Sequence, residues 1–347
     1  MDDYPNAQTA EVIRGESTSE ESMDQSKDQT IANQSFVSEF LLLEFSKVRE
    51  FQIIHFVIFL VLYLAIVTGN LLIISAVAFD HRLHTPMYLF LMNLAMQDLG
   101  QVSVIIPKSM ANSLMNSRHI SYSGCVAQVL FFTFFISTDF FLLIVMAYDR
   151  YAAICNPLQY QMVMNLRACT EMILTVWITG FLYAGLHTVS TFATPFCSNV
   201  VNQFFCEIPQ LIKLSCSKKN QIETGIVLLF ALVGLGCFIF VLVTYVQIFS
   251  AVLRMPSAQG RQKAFSTCLP HLMVFSTFMV TGLFSYLSPM TNTATHLDLF
   301  FTVIYSMVPP LLNPLIYSMR NKEIKAALSN MLRLKTSSNK FVFSFLI

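Results

Sequence analysis

Charged side chains are scarce in this sequence. Only 12% of the 347 residues are Asp, Glu, Lys or Arg, whereas 55% are hydrophobic. About a quarter of the residues in a soluble domain carry charge, so this composition excludes a soluble globular protein of this size. We therefore predict a polytopic membrane protein that lies in a lipid bilayer.

Basic residues are also few near the N-terminus. The first 50 residues contain eleven Asp or Glu, against Arg14, Lys27, Lys47 and Arg49. An acidic segment excludes a nucleic-acid-binding arm and suits translocation across a membrane. Its content of Ser, Glu, Asp and Gln is typical of disorder, so residues 1–50 are predicted to form a disordered extracellular tail.

Several functional motifs are missing. The first 30 residues have no apolar core and no cleavage site, so no targeting peptide is expected and the first span is predicted to act as a signal anchor. The apolar segments contain no His-Glu-x-x-His or Gly-x-Ser-x-Gly motif, which argues against an enzyme. The two halves of the chain show no internal repeat, which argues against a membrane transporter, the alternative from another functional class.

Seven apolar segments are present instead. Each is long enough to cross a hydrocarbon core of about 30 Å as an α-helix. They cover residues 53–79, 86–114, 125–154, 169–190, 222–252, 265–286 and 299–317. The sequence therefore predicts an all-α membrane protein with a seven-transmembrane helix bundle over residues 51–318 and a cytoplasmic helix and tail over residues 319–347.

The distribution of Lys and Arg predicts how the bundle is oriented, because basic loops mark the cytoplasm. One side collects Arg82, Arg150, Arg167, Arg254, Arg261, Lys263, Arg320, Lys322, Lys325, Arg333, Lys335 and Lys340. The other side has fewer basic residues, so the N-terminus is expected outside the cell and the C-terminus inside, with the protein in the plasma membrane. Asn33 begins the only Asn-x-Ser/Thr sequon and is the candidate glycosylation site.

Four of the eight cysteines group on the predicted outer side. Cys125 begins the third span, and Cys197, Cys206 and Cys216 lie in the long loop before the fifth. Cysteines on the oxidising side of a membrane favour two disulfides, although the spacing does not determine the pairing. A zinc cluster is the alternative, but no loop histidine joins the four cysteines at ligand spacing.

The third span carries the main functional prediction. Asp139 is its only ionisable side chain between Cys125 and Tyr148. Burying a carboxylate in mid-membrane costs on the order of 3 kcal/mol, so we expect Asp139 to face the bundle interior. Counting by threes and fours places Phe132, Asp139 and Arg150 on one helical stripe. One helix therefore has an aromatic end suited to binding and an arginine end suited to signalling.

Six short motifs resemble those of a known family. They are Asn70 after Gly69, Leu83-His84-Thr85-Pro86-Met87-Tyr88, Asp98, Met146-Ala147-Tyr148-Asp149-Arg150-Tyr151, Lys263-Ala264-Phe265-Ser266-Thr267-Cys268 and Pro310-Leu311-Leu312-Asn313-Pro314-Leu315-Ile316-Tyr317. In this order and spacing, they resemble the rhodopsin-like receptors, and specifically the olfactory receptors, over about residues 33–330. The sequence departs from that pattern at Asp139, where the family usually has Glu.

The resemblance implies a G protein-coupled odorant receptor. Such a receptor binds a small volatile or lipophilic molecule and activates a stimulatory, olfactory-type heterotrimeric G protein, which raises cyclic AMP. It also implies the disulfides Cys125–Cys206 and Cys197–Cys216 and a glycan on Asn33. A chemosensory receptor of the same fold that works outside the nose is the alternative.

The same resemblance implies a switch at the cytoplasmic end. Arg150 and Asp149, followed by Tyr151, would form a latch that opens on activation, and Tyr245 and Tyr317 would stabilise the open form. The plain alternative is that the charged pair only marks the end of a span.

Two further features concern the end of the bundle. Asn313-Pro314 removes a backbone hydrogen bond within the seventh span, which makes either a moving joint or a static kink. The basic and apolar residues after Arg320 predict a short amphipathic helix on the inner leaflet, with a disordered basic tail as the alternative.

Two buried carboxylates are expected at one depth of the bundle. Asp98 and Asp139 lie on spans two and three, and Asn70 and Asn313 are able to reach the same centre. Two buried anions repel each other unless one is protonated or a cation lies between them. The resemblance favours a sodium ion, and no other cofactor is expected; a single protonated carboxyl is the alternative.

A ligand pocket is expected between the outer halves of spans three, five, six and seven. The residues predicted to line it are Phe132, Thr133, Ile136, Ser137, Gly282, Tyr286, Val303 and Ser306. Ordinary bundle packing is the alternative for each of them. None is Asp or Lys, so an apolar ligand with one hydrogen-bonding group is expected.

Overall fold

The computed structural model describes residues 37–43, 46, 48–216, 221–254, 256–287, 295–320 and 322–336. By its internal contacts the chain divides into two compact units, Met1–Ser38 and Glu39–Ile347. The helices belong to the second unit. Asn33 lies outside the described residues, so its glycosylation stays a prediction, as does the division of the chain at residues 50 and 318.

Seven helices are long and apolar enough to cross a membrane. They are α1 (Arg49–Phe79), α2 (Pro86–Met115), α3 (Tyr122–Cys155), α4 (Leu166–Phe192), α5 (Gln221–Leu253), α6 (Ala258–Leu287) and α7 (Thr295–Arg320). Every apolar segment identified in the sequence lies within one of them. The prediction of a seven-helix membrane bundle is confirmed.

Several helices begin a few residues before the apolar segment, because a polar side chain caps the first turn. The Ser121 hydroxyl accepts a hydrogen bond from the Gly124 N–H at 3.1 Å at the start of α3. Asn165 caps α4 in the same way through the Ala168 N–H at 2.9 Å. These caps satisfy backbone donors that a helix leaves unpaired at its N-terminus.

The interior of the bundle is formed mainly by α2 and α3. Of the residues in their most apolar windows, 61% and 50% are buried, against 22% in α1 and in α5. In a membrane the less buried helices present apolar side chains to lipid, so a low buried fraction is the normal state of a peripheral span. The helix that carries Asp139 and Arg150 therefore lies in the interior of the bundle.

A short strand precedes the first helix. β1 (Glu39–Leu41) pairs antiparallel with β2 (His119–Ser121), and Leu41 also bridges to Val200 in the long loop before α5. We call residues 39–43 the N-terminal strap. The prediction of disorder up to residue 50 is wrong for these residues, because backbone partners distant in the sequence order them.

A further helix follows the seventh span. α8 (Lys322–Thr336) is amphipathic, and its Ile324 and Ala327 side chains are buried against the bundle. Tyr88 at the start of α2 donates a hydrogen bond to Glu323 at 2.6 Å. The predicted amphipathic helix is therefore present, and the alternative of a disordered basic tail is wrong for residues 322–336.

Candidate ligand and signalling sites

Two disulfides define one end of the bundle. Cys125 at the start of α3 is bonded to Cys206, and Cys197 is bonded to Cys216 within the same loop. Both pairs are those that the family resemblance implies, and they replace the alternative of a zinc cluster. We call this the disulfide end, and the opposite end, where Arg150 lies, the arginine end.

The loop between α4 and α5 turns into the bundle at the disulfide end. Residues 203–211 are all buried, and we call them the roof segment. The Ser109 hydroxyl on α2 donates to the Phe204 carbonyl at 2.8 Å, and the Cys206 N–H donates to Gln128 on α3 at 2.8 Å. The roof segment is therefore fixed to both interior helices by hydrogen bonds as well as by a disulfide.

Aromatic side chains fill the space beneath the roof segment. Phe132 on α3 lies 4.8 Å from Phe205 and 6.1 Å from Tyr305 on α7, measured between ring centroids. Phe204 packs against Phe205 at 4.8 Å. Edge-to-face rings at these distances stabilise one another beyond simple area burial. The predicted pocket residue Phe132 is thus the point at which α3, α7 and the roof segment meet.

A buried carboxylate accompanies this aromatic cluster. Glu207 is 3% exposed; the hydroxyl of Tyr305 donates to its Oε1 at 2.5 Å and the hydroxyl of Thr302 to its Oε2 at 3.3 Å. Gln203 in turn donates to Thr302 at 3.0 Å. The roof segment is therefore tied to α7 through the carboxyl group of Glu207 as well as to α2 and α3.

The residues of the predicted polar centre lie on α1, α2, α3 and α7, and the hydrogen bonds between them join α2 to α7. The Asn313 amide donates to both carboxylate oxygens of Asp98, at 3.0 and 3.3 Å, and Asp139 is near enough to interact electrostatically with Asp98. One oxygen each of Asn70, Asp139 and Asn313 has no hydrogen-bond partner among the described residues. Oxygens without donors fit a cation or an added proton, so both alternatives from the sequence remain.

The seventh helix contains proline next to this centre and packs closely on α1. Pro314 has no N–H to donate to the Pro310 carbonyl one turn earlier, and Asn70 donates to that carbonyl instead, at 3.1 Å. A Cβ added to Gly69 would lie 3.0 Å from the Pro314 ring, so glycine is needed at this crossing. These contacts hold α1 against the proline-containing part of α7.

At the arginine end, Arg150 bridges α3 and α6. Its side chain is buried, and it donates to the Thr267 carbonyl on α6 at 3.4 Å and to the Met146 carbonyl on its own helix at 3.2 Å. Asp149 accepts a hydrogen bond from Tyr160 in the following loop at 2.8 Å. Burial and the nearby Asp149 charge raise the pKa of Tyr160, so its hydroxyl stays protonated and donates.

A second bridge joins three helices, one turn along α6 from Thr267. His271 on α6 contacts the Leu143 carbonyl on α3 through Nε2 at 2.9 Å and the Tyr245 hydroxyl on α5 through Nδ1 at 2.7 Å. A carbonyl only accepts, so Nε2 carries the proton and, in the neutral ring, Nδ1 accepts from Tyr245. The arginine-end portions of α3, α5 and α6 are therefore held together.

Comparison with known proteins identifies a family that has this architecture. The family model described as olfactory receptor matches residues 59–335. Olfactory receptor 14I1 of Homo sapiens is 49% identical over 297 residues, which cover 85% of this chain and 96% of that protein. Olfactory receptor 14C36 of Homo sapiens is 47% identical over 302 residues, 87% and 97% of the two chains, and olfactory receptor 1G1 of Gorilla gorilla gorilla is 44% identical over 301 residues, 86% and 96%.

The chain belongs to the olfactory receptor family. It is therefore an odorant receptor of the G protein-coupled type, a multi-pass membrane protein and not an enzyme. The resemblance based on the six sequence motifs is confirmed.

The predicted pocket residues of this olfactory receptor do not all share one environment. Ile136 and Val303 pack against the aromatic cluster, and Thr133, which directly follows Phe132, is buried. The Ser137 hydroxyl instead lies against α4, where it donates to the Phe134 carbonyl at 3.0 Å and to the Gly180 carbonyl at 3.4 Å.

The remaining predicted pocket residues lie on α6 and α7. Ser306 donates to the Val303 carbonyl of its own helix at 3.4 Å. Apart from its own helix, no described residue has an atom within 4 Å of a Cβ added to Gly282. The side chain of Tyr286 lies outside the described residues.

The structure describes the side chains of only some of the predicted switch residues. Tyr245 takes part in the His271 bridge, and the Tyr151 ring stacks on Tyr148 at 6.4 Å between centroids. The side chain of Tyr317 lies outside the described residues, so its predicted role is not tested.

Glu207 is a buried residue beside the aromatic cluster that sequence reasoning missed. Its position directly after Cys206 is the available signal, because a disulfide from that cysteine to α3 carries the next residue into the bundle. The residues predicted to line the pocket did not include Glu207, whose carboxyl group accepts from Tyr305 and Thr302.

Proposed function

We propose that this receptor binds a small, mostly apolar odorant near Phe132 and Tyr305, beneath the roof segment. Aromatic rings from α3, α7 and the roof segment supply the apolar contact surface that such a molecule needs. The hydroxyls of Tyr305 and Thr302 and the Glu207 carboxylate are the polar groups next to these rings. An apolar odorant with one hydrogen-bonding group fits this chemistry best. That group would donate a hydrogen bond to Glu207 or form hydrogen bonds with the Tyr305 or Thr302 hydroxyl.

The odorant acts at a distance from the partner that reads its binding. Phe132 and Arg150 are eighteen residues apart on α3, which is about 27 Å of helix. Direct contact between odorant and G protein is therefore excluded for this site. Coupling consists of a shift between two packings of the bundle, one favoured by the odorant and the G protein and one favoured in their absence.

The paired bridges at the arginine end are the single observation that carries this proposal. Arg150 ties α3 to α6, and His271 ties α6 to α3 and α5, so this arrangement is closed. Activation opens these bridges, and the freed inner end binds a stimulatory, olfactory-type heterotrimeric G protein that raises cyclic AMP. Asn313-Pro314 and the polar centre lie between the two ends and serve as the joint, with a sodium ion or a proton favouring the closed form.

The disulfide end faces the outside of the cell in this proposal. Disulfides form on the oxidising side of a membrane, and the basic residues gather at the arginine end. We expect Asn33 to carry a glycan. We also expect antibodies to reach a tag placed after Lys325 only in permeabilised cells. Finding Asn33 and Lys325 on one side of the plasma membrane contradicts the orientation.

The function is tested with an odorant panel in cells that express the receptor and the stimulatory G protein. We expect at least one small apolar odorant to raise cyclic AMP, and we expect Arg150→Ala to abolish the rise while its amount at the surface stays the same. Cells that have the receptor but not the G protein are the control. Ion or solute flux without any cyclic AMP response contradicts the proposal.

A further inference from the structure

Three prolines inside α7 each leave one backbone carbonyl without its helical donor. In an α-helix the carbonyl of residue i accepts from the N–H of residue i+4, and proline has no N–H. Pro309, Pro310 and Pro314 therefore donate no helical N–H to the carbonyls of Tyr305, Ser306 and Pro310.

The free Ser306 carbonyl receives a donor from another helix. Gln101 on α2 donates to it through Nε2 at 2.8 Å, and the two residues are 1% and 0% exposed. A buried carbonyl without a donor is costly, and water does not reach this site easily. In the same manner, the hydrogen bond from the Asn70 amide to the Pro310 carbonyl replaces the N–H that Pro314 lacks.

We propose that Gln101 is a positioning residue for α7. Its amide replaces the N–H that Pro310 lacks, and it thereby fixes the proline-containing part of α7 against α2 in the closed receptor. Ser306 is next to Tyr305, whose ring contacts Phe132, so this bond also sets the α7 wall of the proposed odorant pocket. The role belongs to the bundle itself and does not depend on which molecule binds.

A double-mutant cycle tests this replacement. Gln101→Leu keeps a similar volume but removes the donor, so we expect the full-length receptor in detergent to unfold at a temperature several degrees lower. Pro310→Ala restores the backbone N–H that the Ser306 carbonyl needs. In the Pro310→Ala background we therefore expect Gln101→Leu to lower the unfolding temperature by about a third or less of the decrease that it causes in the native background.

Two matched controls separate this role from general packing. Gln97 is also on α2 and also 1% exposed, so Gln97→Leu measures the loss of a buried glutamine elsewhere on the helix. We expect its effect to be the same with and without Pro310→Ala. Pro309→Ala instead provides an N–H for the Tyr305 carbonyl. We expect the decrease in unfolding temperature caused by Gln101→Leu to be the same with and without Pro309→Ala.

The measured quantity is the unfolding temperature of each purified variant, followed with a dye that reacts with buried thiols as they become exposed. The proposal is overturned if Gln101→Leu lowers the unfolding temperature equally in the native and Pro310→Ala backgrounds. It is also overturned if Pro309→Ala reduces that decrease as much as Pro310→Ala does. If Gln101→Leu alone yields no folded receptor, recovery of folded protein on adding Pro310→Ala supports the proposal, and failure to recover overturns it.

Discussion

The bridge made by His271 gives a prediction that depends directly on the closed arrangement. His271→Leu keeps an apolar side chain of similar size on α6 but removes both ring nitrogens. The Leu143 carbonyl on α3 and the Tyr245 hydroxyl on α5 then lose their shared partner. These two hydrogen bonds hold the inner ends together, so their loss should favour the open form without any odorant.

The size of the effect follows from the two bonds. Each intramolecular hydrogen bond contributes about 0.5–1.5 kcal/mol net, so the closed form loses roughly 1–3 kcal/mol relative to the open form. That difference changes the open-to-closed ratio by about 5-fold to 150-fold. A receptor that is open about 1% of the time at rest would then be open roughly 5–60% of the time.

The assay is basal cyclic AMP in cells that contain the stimulatory G protein, divided by the amount of receptor at the surface. His187→Leu is the matched control, because His187 is also buried, at 3% exposed against 0% for His271, but lies on α4, where its ring packs on Tyr183 at 4.5 Å. We expect basal cyclic AMP to rise for His271→Leu and not for His187→Leu. An unchanged or lower basal signal for His271→Leu at equal surface amount would refute the reasoning.

Three further predictions concern other parts of the bundle. Phe40 in the N-terminal strap is fully buried between Tyr122 and Phe196, so Phe40→Ala should cost about 3 kcal/mol or more in thermal unfolding, whereas Glu39→Ala on the exposed edge should cost little. Added sodium should lower basal cyclic AMP in the native receptor but not in Asp139→Asn; an equal response in both removes the cation from the account. Glu207→Gln keeps one acceptor oxygen but removes the carboxylate. It should therefore weaken the response to odorants that donate a hydrogen bond more than the response to odorants that only accept one. Equal losses for both classes of odorant count against a polar role for Glu207.

The helical bundle was largely predictable from the sequence, for a simple physical reason. A span must bury its backbone hydrogen bonds within itself, so a long apolar run with few charges has one stable solution in a membrane. The helix positions follow from such local information. The disulfide pairing and the family followed instead from motifs whose order and spacing resemble known receptors.

Features that depend on distant partners were not predictable in this way. The N-terminal strap has five residues and is ordered by β2 and by the loop near Val200, and its own sequence does not reveal either contact. Counting along α3 placed Ser137 near the pocket, but the bundle directs its hydroxyl to α4. The replacement of a missing proline N–H by Gln101 becomes visible only when α2 and α7 are seen side by side.

The claim that an odorant near Phe132 opens the arginine end can be measured as a distance. Labels at Ala153→Cys on α3 and Gln262→Cys on α6, with Cys155 replaced by Ser, report the separation of the two inner helix ends in the full-length receptor. We predict that this separation increases when an odorant that raises cyclic AMP is added together with the G protein, and that Phe132→Ala requires more odorant to reach the same change. A full cyclic AMP response with an unchanged separation of α3 and α6 would contradict the account.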